Sequence, residues 1–181
     1  SRFDPGALIA DEHLRGRREV AIDALVRLSA SHDDAVRVLK LGAKLHGEVA
    51  VNAALRDAAT MPAVDRYTGV LFDALDAASL DDDARSWLGA HVWIHSAPFG
   101  PVAALDHVPA YRLGAGISVP GLGSLRRHWA DAVSSAIAAM APPYVLDLRS
   151  EAYVALGPVP SSAPGDFVRV VTRADGGAVR A

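Results

Sequence analysis

One stretch limits the folds open to this chain. From His91 to Trp129 it reads HVWIHSAPFGPVAALDHVPAYRLGAGISVPGLGSLRRHW, with four prolines and five glycines. Neither residue suits a helix interior. The segment therefore predicts a buried strand at Val92 to Ile94, then a long loop, then entry into an amphipathic helix. A loop this long inside a compact domain is unusual unless it is functional or disordered. Disordered segments are poor in aromatic anchors, whereas this one holds Trp93, Phe99, Tyr111 and Trp129 beside Arg112. It is read as an ordered functional loop.

The remaining sequence bounds what the loop is set in. A chain of 181 residues can bury the core of one domain. At 51% hydrophobic and 22% charged it is globular, not disordered. No apolar run approaches the roughly 18–20 residues of a membrane span, so no membrane partner is expected. There is no cysteine, which removes disulfides and thiolate chemistry and fits a cytoplasmic protein. A net charge of -3 does not announce nucleic-acid binding, so any such binding must come from a local patch.

Periodicity and breakers place the elements. Ser1 to Gly16 is expected to be extended or irregular. Helices are expected from Arg17 to Ser29, from His32 to about Leu41, from Lys44 to Asp57 and from Val64 to Ala77, the last enclosing Gly69. Asp81-Asp82-Asp83 opens a short helix through Leu88, its carboxylates at the positive end of the helix dipole. Leu125, Trp129, Ala132, Val133, Ala136, Ile137 and Met140 mark a helix from Ser124 to Met140. A buried strand follows at Tyr144 to Leu148, then a short helix capped by Ser150, then a strand from Phe167 to Thr172 that turns at Asp175-Gly176. Helices in the first half and strand–helix alternation in the second predict a single α/β (α+β-like) domain spanning 1–181, with a small mixed sheet.

The sharpest motif is Val119-Pro120-Gly121-Leu122-Gly123-Ser124 ahead of that amphipathic helix. It has the form of the hairpin and second helix of a helix-hairpin-helix DNA-binding unit. Its glycines let the backbone approach a phosphate, and the helix N-terminal amides then point at it. Between Asp106 and Asp131 there is no acidic residue, while Arg112, Arg126 and Arg127 are present with His107 and His128. Arg112, Gly121, Gly123, Ser124, Arg126, Arg127 and His128 are therefore the candidate DNA- or phosphate-binding set. A preceding helix is not expected, because Ala110 to Ser118 carries two glycines and no helical period. The alternative is an ordinary loop running into an amphipathic helix.

Other candidates are weighed the same way. His91 and His95 share a face if both lie on a strand, but ~13 Å apart, so no metal is expected, and no cofactor. Ser96, at a strand end, suits a hydrogen-bonding role in a pocket or a structural turn. Arg112 is a fork for phosphate or carboxylate, or a bridge from the loop to a carboxylate such as Asp106. Tyr111 beside it can stack or donate a hydrogen bond. Ser150, Glu151 and Tyr153 follow a strand, where α/β proteins favour ligand sites. Glu151 is a general base if buried and an ordinary helix-start residue if exposed.

Several blocks in order resemble the YaaA family of bacterial peroxide-stress proteins: Pro62 to Asp76 (PAVDRYTGVLFDALD), His95-Ser96-Ala97-Pro98-Phe99-Gly100, Asp106, Pro109-Ala110-Tyr111-Arg112-Leu113, Gly121 to Trp129, and Val145 to Tyr153 (VLDLRSEAY). The resemblance covers roughly Ala43 to Val171. It implies a compact α/β fold with a positively charged cleft, a link to peroxide stress and limitation of free iron, and binding of double-stranded and structured DNA. Carried over, the cleft draws on Ser96, Asp106, Tyr111, Arg112, Trp129, Ser150 and Tyr153. The chain departs from the family pattern at Ala103, Gly114 and Ala152, as a divergent actinobacterial-type member would. Relatives of this kind begin with a strand ahead of Ser1 and continue past Ala181, so the chain is expected to be part of a longer fold. The leading expectation is a non-enzymatic DNA-binding stress protein. The alternative is an enzyme or binder for a small anionic metabolite or nucleotide in the same cleft.

Overall fold

The computed structural model describes residues 3–172 and 178–180. Its hub is helix α1, Asp11–Ser29, with α2 (His32–Val38), α3 (Glu48–Ala53) and the later α7 packed around it. Leu14, Ala21, Ile22, Leu25 and Leu28 form the buried stripe that holds it there. The helix starts six residues before the expected Arg17. Its stripe passes through Arg18, which is wholly buried, and a charged residue on the apolar face hides the period. Instead of being irregular throughout, the preceding residues include a 3-10 turn at Pro5–Ala7 capped by the Asp4 side chain.

Three other helices are shorter than expected. α2 stops at Val38 because Lys40 turns left-handed (φ 55) before Gly42 is reached. The third expected helix is a 3-10 turn at Ala43–Leu45 followed by α3. The fourth is cut in two, α4 (Ala63–Arg66) and α5 (Val70–Leu75). Tyr67 is extended (ψ 145) and Gly69 lies at φ 116, where L side chains are disfavoured. Gly69 is thus a helix breaker. α6 (Asp82–His91) opens as expected, with the Asp81 carboxylate accepting from the Ala84 amide, and runs three residues further. His91 therefore sits on a helix, stacked on Trp87, not on the strand with His95.

The expected loop is largely laddered. β1 (Thr60–Pro62) precedes it; β2 (Trp93–Ser96), β3 (Gly100–Ala103), β4 (His107–Pro109), β5 (Ser118–Val119) and β6 (Gly123–Ser124) follow one another through it. β2 and β3 form an antiparallel hairpin, β4 pairs with the distant β1, and β5 pairs with β6. The β2–β3 hairpin is the floor of the core, its residues 94–103 all buried. Gly100 (φ 67) has the Trp129 ring where a Cβ would stand, 3.0 Å from the nearest carbon.

α7, Leu125–Met140, matches its expected bounds to one residue, capped by Ser124 accepting from the Arg127 amide. β7 (Val145–Asp147) is less buried than expected: Tyr144, Leu146 and Leu148 are about half exposed. α8 (Glu151–Val154) follows Ser150, whose side chain makes no capping bond. The expected last strand divides into β8 (Gly165–Phe167), parallel to β7, and β9 (Val170–Thr172), antiparallel to β10 (Ala178–Arg180). The Asp175-Gly176 turn lies outside the described residues. The chain is a mixed α/β domain with small two-stranded sheets among the described residues, not one mixed sheet.

Candidate functional site

Where the broken helix faces the loop, an open cleft of ≈ 580 Å³ forms. Leu39 beyond α2, Glu48 on α3, Arg66 at the end of α4 with Tyr67 and Thr68 after it, Ala110 to Gly114, Ile117 and Tyr153 on α8 line it. The break at Tyr67 is what brings that side chain to the wall.

Arg112 is placed by its backbone. Buried Asn52 accepts from the Arg112 amide through Oδ1 (2.8 Å) and donates through Nδ2 to the Arg112 carbonyl (2.9 Å). The exposed guanidinium makes no hydrogen bond or ion pair among the described residues. Asp106, its suggested partner, instead accepts from the amides of Ile9 and Ala103. Asn52→Ala is expected to cost about 2 kcal/mol, because it orphans both the partly buried backbone N–H and the carbonyl of Arg112. Chemical denaturation checks this, and an unchanged midpoint would show that the clamp contributes nothing.

Below Arg112 lies a chain of hydroxyls. Ser96 Oγ donates to Tyr111 OH (3.1 Å), and Tyr111 OH is 3.2 Å from Tyr67 OH. The three hydroxyls form one hydrogen-bonded cluster, in which either phenol can donate to the other. Burial raises Tyr111 well above the ordinary phenol value and also raises Tyr67. Burial, reinforced by Tyr111, pushes Tyr153 up to about 12. All three are therefore neutral donors at physiological pH.

Behind Tyr153 stands His95, ring centroids 6.0 Å apart. Arg149 Nη1 meets His95 Nδ1 at 2.8 Å. Arginine only donates, so Nδ1 presents its lone pair and Nε2 carries the hydrogen. That buried N–H has no acceptor among the described residues. Arg149 is held by Asp147 and by the Gly157 carbonyl. Burial, and then the Arg149 cation, push His95 down to about 3. Burial pushes the Asp147 carboxyl up, but the Arg149 hydrogen bonds outweigh it and hold the group below its usual range.

The unfolded chain protonates His95 near its ordinary value of about 6.5, well before the folded chain does. His95 therefore stabilises fully above about pH 6.5 and loses that contribution as pH falls toward 3. His128, lowered chiefly by burial, acts in the same direction. Stability is expected to decline below pH 6.5, ahead of most carboxylate titration, and His95→Gln should flatten part of that decline. An identical pH slope in the variant would exclude His95 as its source.

The sequence candidates thus separate. Tyr111, Arg112 and Tyr153 line one cleft, with Ser96 bonded beneath Tyr111. Trp129 is a core residue, its Nε1 donating to the Ala97 carbonyl. His128 is buried against α1, where its Nε2 bonds the Arg17 carbonyl, so its ring is not free for a phosphate. Ser150 is exposed, and Glu151 is an exposed partner of Arg169, which gives it no base environment. Gly121 and Gly123 take φ 80 and 84 in the hairpin, and Arg126 and Arg127 project exposed beyond Ser124. Residues 110–117 contain no helix, so the hairpin leads into one helix without a first. Those hairpin residues do not line the Arg112 cleft. Pro120 borders a second one of ≈ 390 Å³ with Arg27, Ser31 and Arg37. Leu39 and Ile117 line the first cleft, while Val38 and Pro120 line the second. Sequence reading missed Glu48, Asn52, Arg66, Tyr67 and Arg149. Gly69 was the one local signal for Tyr67.

Fold and site together define a mixed α/β protein with a cleft lined by arginine and tyrosine. Residues 7–174 match the family model described as "Peroxide stress protein YaaA", and the chain belongs to that family. It is 42% identical over 144 residues to a UPF0246 protein of Streptomyces coelicolor, covering 78% of this chain and 55% of the relative. To a UPF0246 protein of Corynebacterium efficiens it is 42% identical over 149 residues, covering 80% and 58%. The chain thus spans little more than half the length of the curated relatives it matches. No helix among the described residues is long and apolar enough to cross a membrane.

Proposed function

We propose that this chain is the phosphate-engaging part of a YaaA-type peroxide-stress protein and holds DNA through its backbone phosphates. One observation carries the reading. Arg15, Arg37, Arg56, Arg85, Arg149 and Arg169 are each paired with an internal carboxylate, whereas Arg112, Arg126 and Arg127 have none among the described residues, a property they share with Arg17, Arg27, Arg66, Lys40 and Lys44. Cations left unneutralised on an acidic protein are free to displace the counterions of a polyanion. The hairpin supports the reading: its glycines keep the backbone bare, and Ser124 caps only one of the first-turn amides of α7.

The test is duplex binding by the full-length protein as salt is raised. Affinity should fall steeply, and Arg126→Ala/Arg127→Ala should flatten the log–log slope by about 0.9 for each phosphate contact removed. Salt-insensitive binding, or none, overturns the proposal.

A further inference from the structure

Resting on that reading, we infer that the Arg112 cleft takes one unstacked nucleotide of the bound strand, with its phosphate on Arg112 and Arg66 and an amino-bearing base at Glu48. A phosphate alone would leave most of ≈ 580 Å³ unfilled, while that volume falls in the ~300–1,000 Å³ range of small-molecule sites. The donors are already in place. Arg112 has no protein acceptor among the described residues, Arg66 has only 3.4 Å contacts to the Val108 carbonyl, and Tyr67, whose hydroxyl is 3.2 Å from that of Tyr111, lines the same cleft. Such a wall suits an anionic, acceptor-rich ligand.

Two further features narrow the class. The phenol rings of Tyr67, Tyr111 and Tyr153 line the cleft, and aromatic rings hold unstacked bases without regard to sequence. Glu48 is the single acidic residue of the lining and forms no ion pair with either arginine. A carboxylate accepts from an exocyclic amine, which adenine, cytosine and guanine carry and thymine lacks. A paired base presents neither its faces nor that whole edge, so the occupant is an unpaired residue and not intact duplex.

The experiment compares dAMP, dCMP, dTMP and inorganic phosphate by calorimetry, alongside duplex binding measured on the same protein. dAMP and dCMP should bind about tenfold more tightly than dTMP, and all three more tightly than phosphate. Glu48→Ala should level the nucleotides, and Tyr67→Phe should weaken them all by several-fold. Equal binding of dTMP and dAMP, phosphate as good a ligand as any nucleotide, or a preference that survives Glu48→Ala overturns the inference. If no nucleotide binds while duplex still does, the cleft inference falls and the backbone-phosphate reading stands; if neither binds, both fall.

Discussion

Replacing Arg18 with methionine is expected to lower the unfolding free energy by about 3 kcal/mol, although it removes a buried charge. The side chain is fully buried. Its Nε donates to the Phe99 carbonyl (2.9 Å), and Nη2 donates to the carbonyls of Ile9 (2.6 Å) and Pro101 (2.9 Å). Burial pulls its pKa down to about 10, against the opposing pull of Asp11 and Asp106. Methionine recovers the cost of desolvating the guanidinium. It cannot donate, however, so three carbonyls lose a partner, at roughly 1–3 kcal/mol each when buried. The second effect is the larger. Lysine keeps the charge but lacks the fork that reaches three acceptors, so Arg18→Lys should also be destabilised. Urea denaturation decides the matter, and a methionine variant as stable as the parent would show that those carbonyls find other partners.

Trp129→Ala should cost more, about 3–5 kcal/mol. The ring is 0% exposed, lies against Gly100, meets His128 edge-on at 4.7 Å and donates from Nε1 to the Ala97 carbonyl. Removing it leaves a cavity under the β2–β3 turn and a buried carbonyl without its donor. Trp129→Phe keeps most of the volume and loses only the hydrogen bond, for about 1–2 kcal/mol. Both residues brace residues 97–101, directly after Ser96. Cleft affinity should therefore fall along with stability in the alanine variant and change little in the phenylalanine one. A full loss of ligand binding in a stable Trp129→Phe protein would mean that Trp129 acts on the site and not on the scaffold.

The two braces also show what reading the chain could reach. The α7 bounds were legible because its apolar residues keep an uninterrupted helical spacing up to Pro142-Pro143. The start of α1 was not, because Arg18 occupies an apolar position and only the carbonyls of a distant hairpin make that position favourable. The residues from 64 to 77 carry helical periodicity, yet Gly69 and the Tyr67–Tyr111 bond split them, and that bond spans 44 residues of sequence. In the site, Arg112, Tyr111 and Tyr153 stood out by residue type. Asp106, Trp129 and His128 stood out equally, and each proved to serve the fold. Glu48 and Asn52 gave no sign, since a glutamate and an asparagine on a helix look like surface until the opposite wall is known.

Residue order alone was enough for the α/β class, the hairpin feeding α7, the family and a short list of side chains able to meet an anion. All of these rest on local spacing and residue chemistry, which act within a few turns of chain. Distant residues had to meet before it was visible which arginines are neutralised, that Tyr67, Tyr111 and Tyr153 share a cleft with Arg112, and that the hairpin residues 121–124 lie outside that cleft. Those outcomes depend on contacts between residues far apart in the chain, and on the loss of water around them, and no local pattern encodes either.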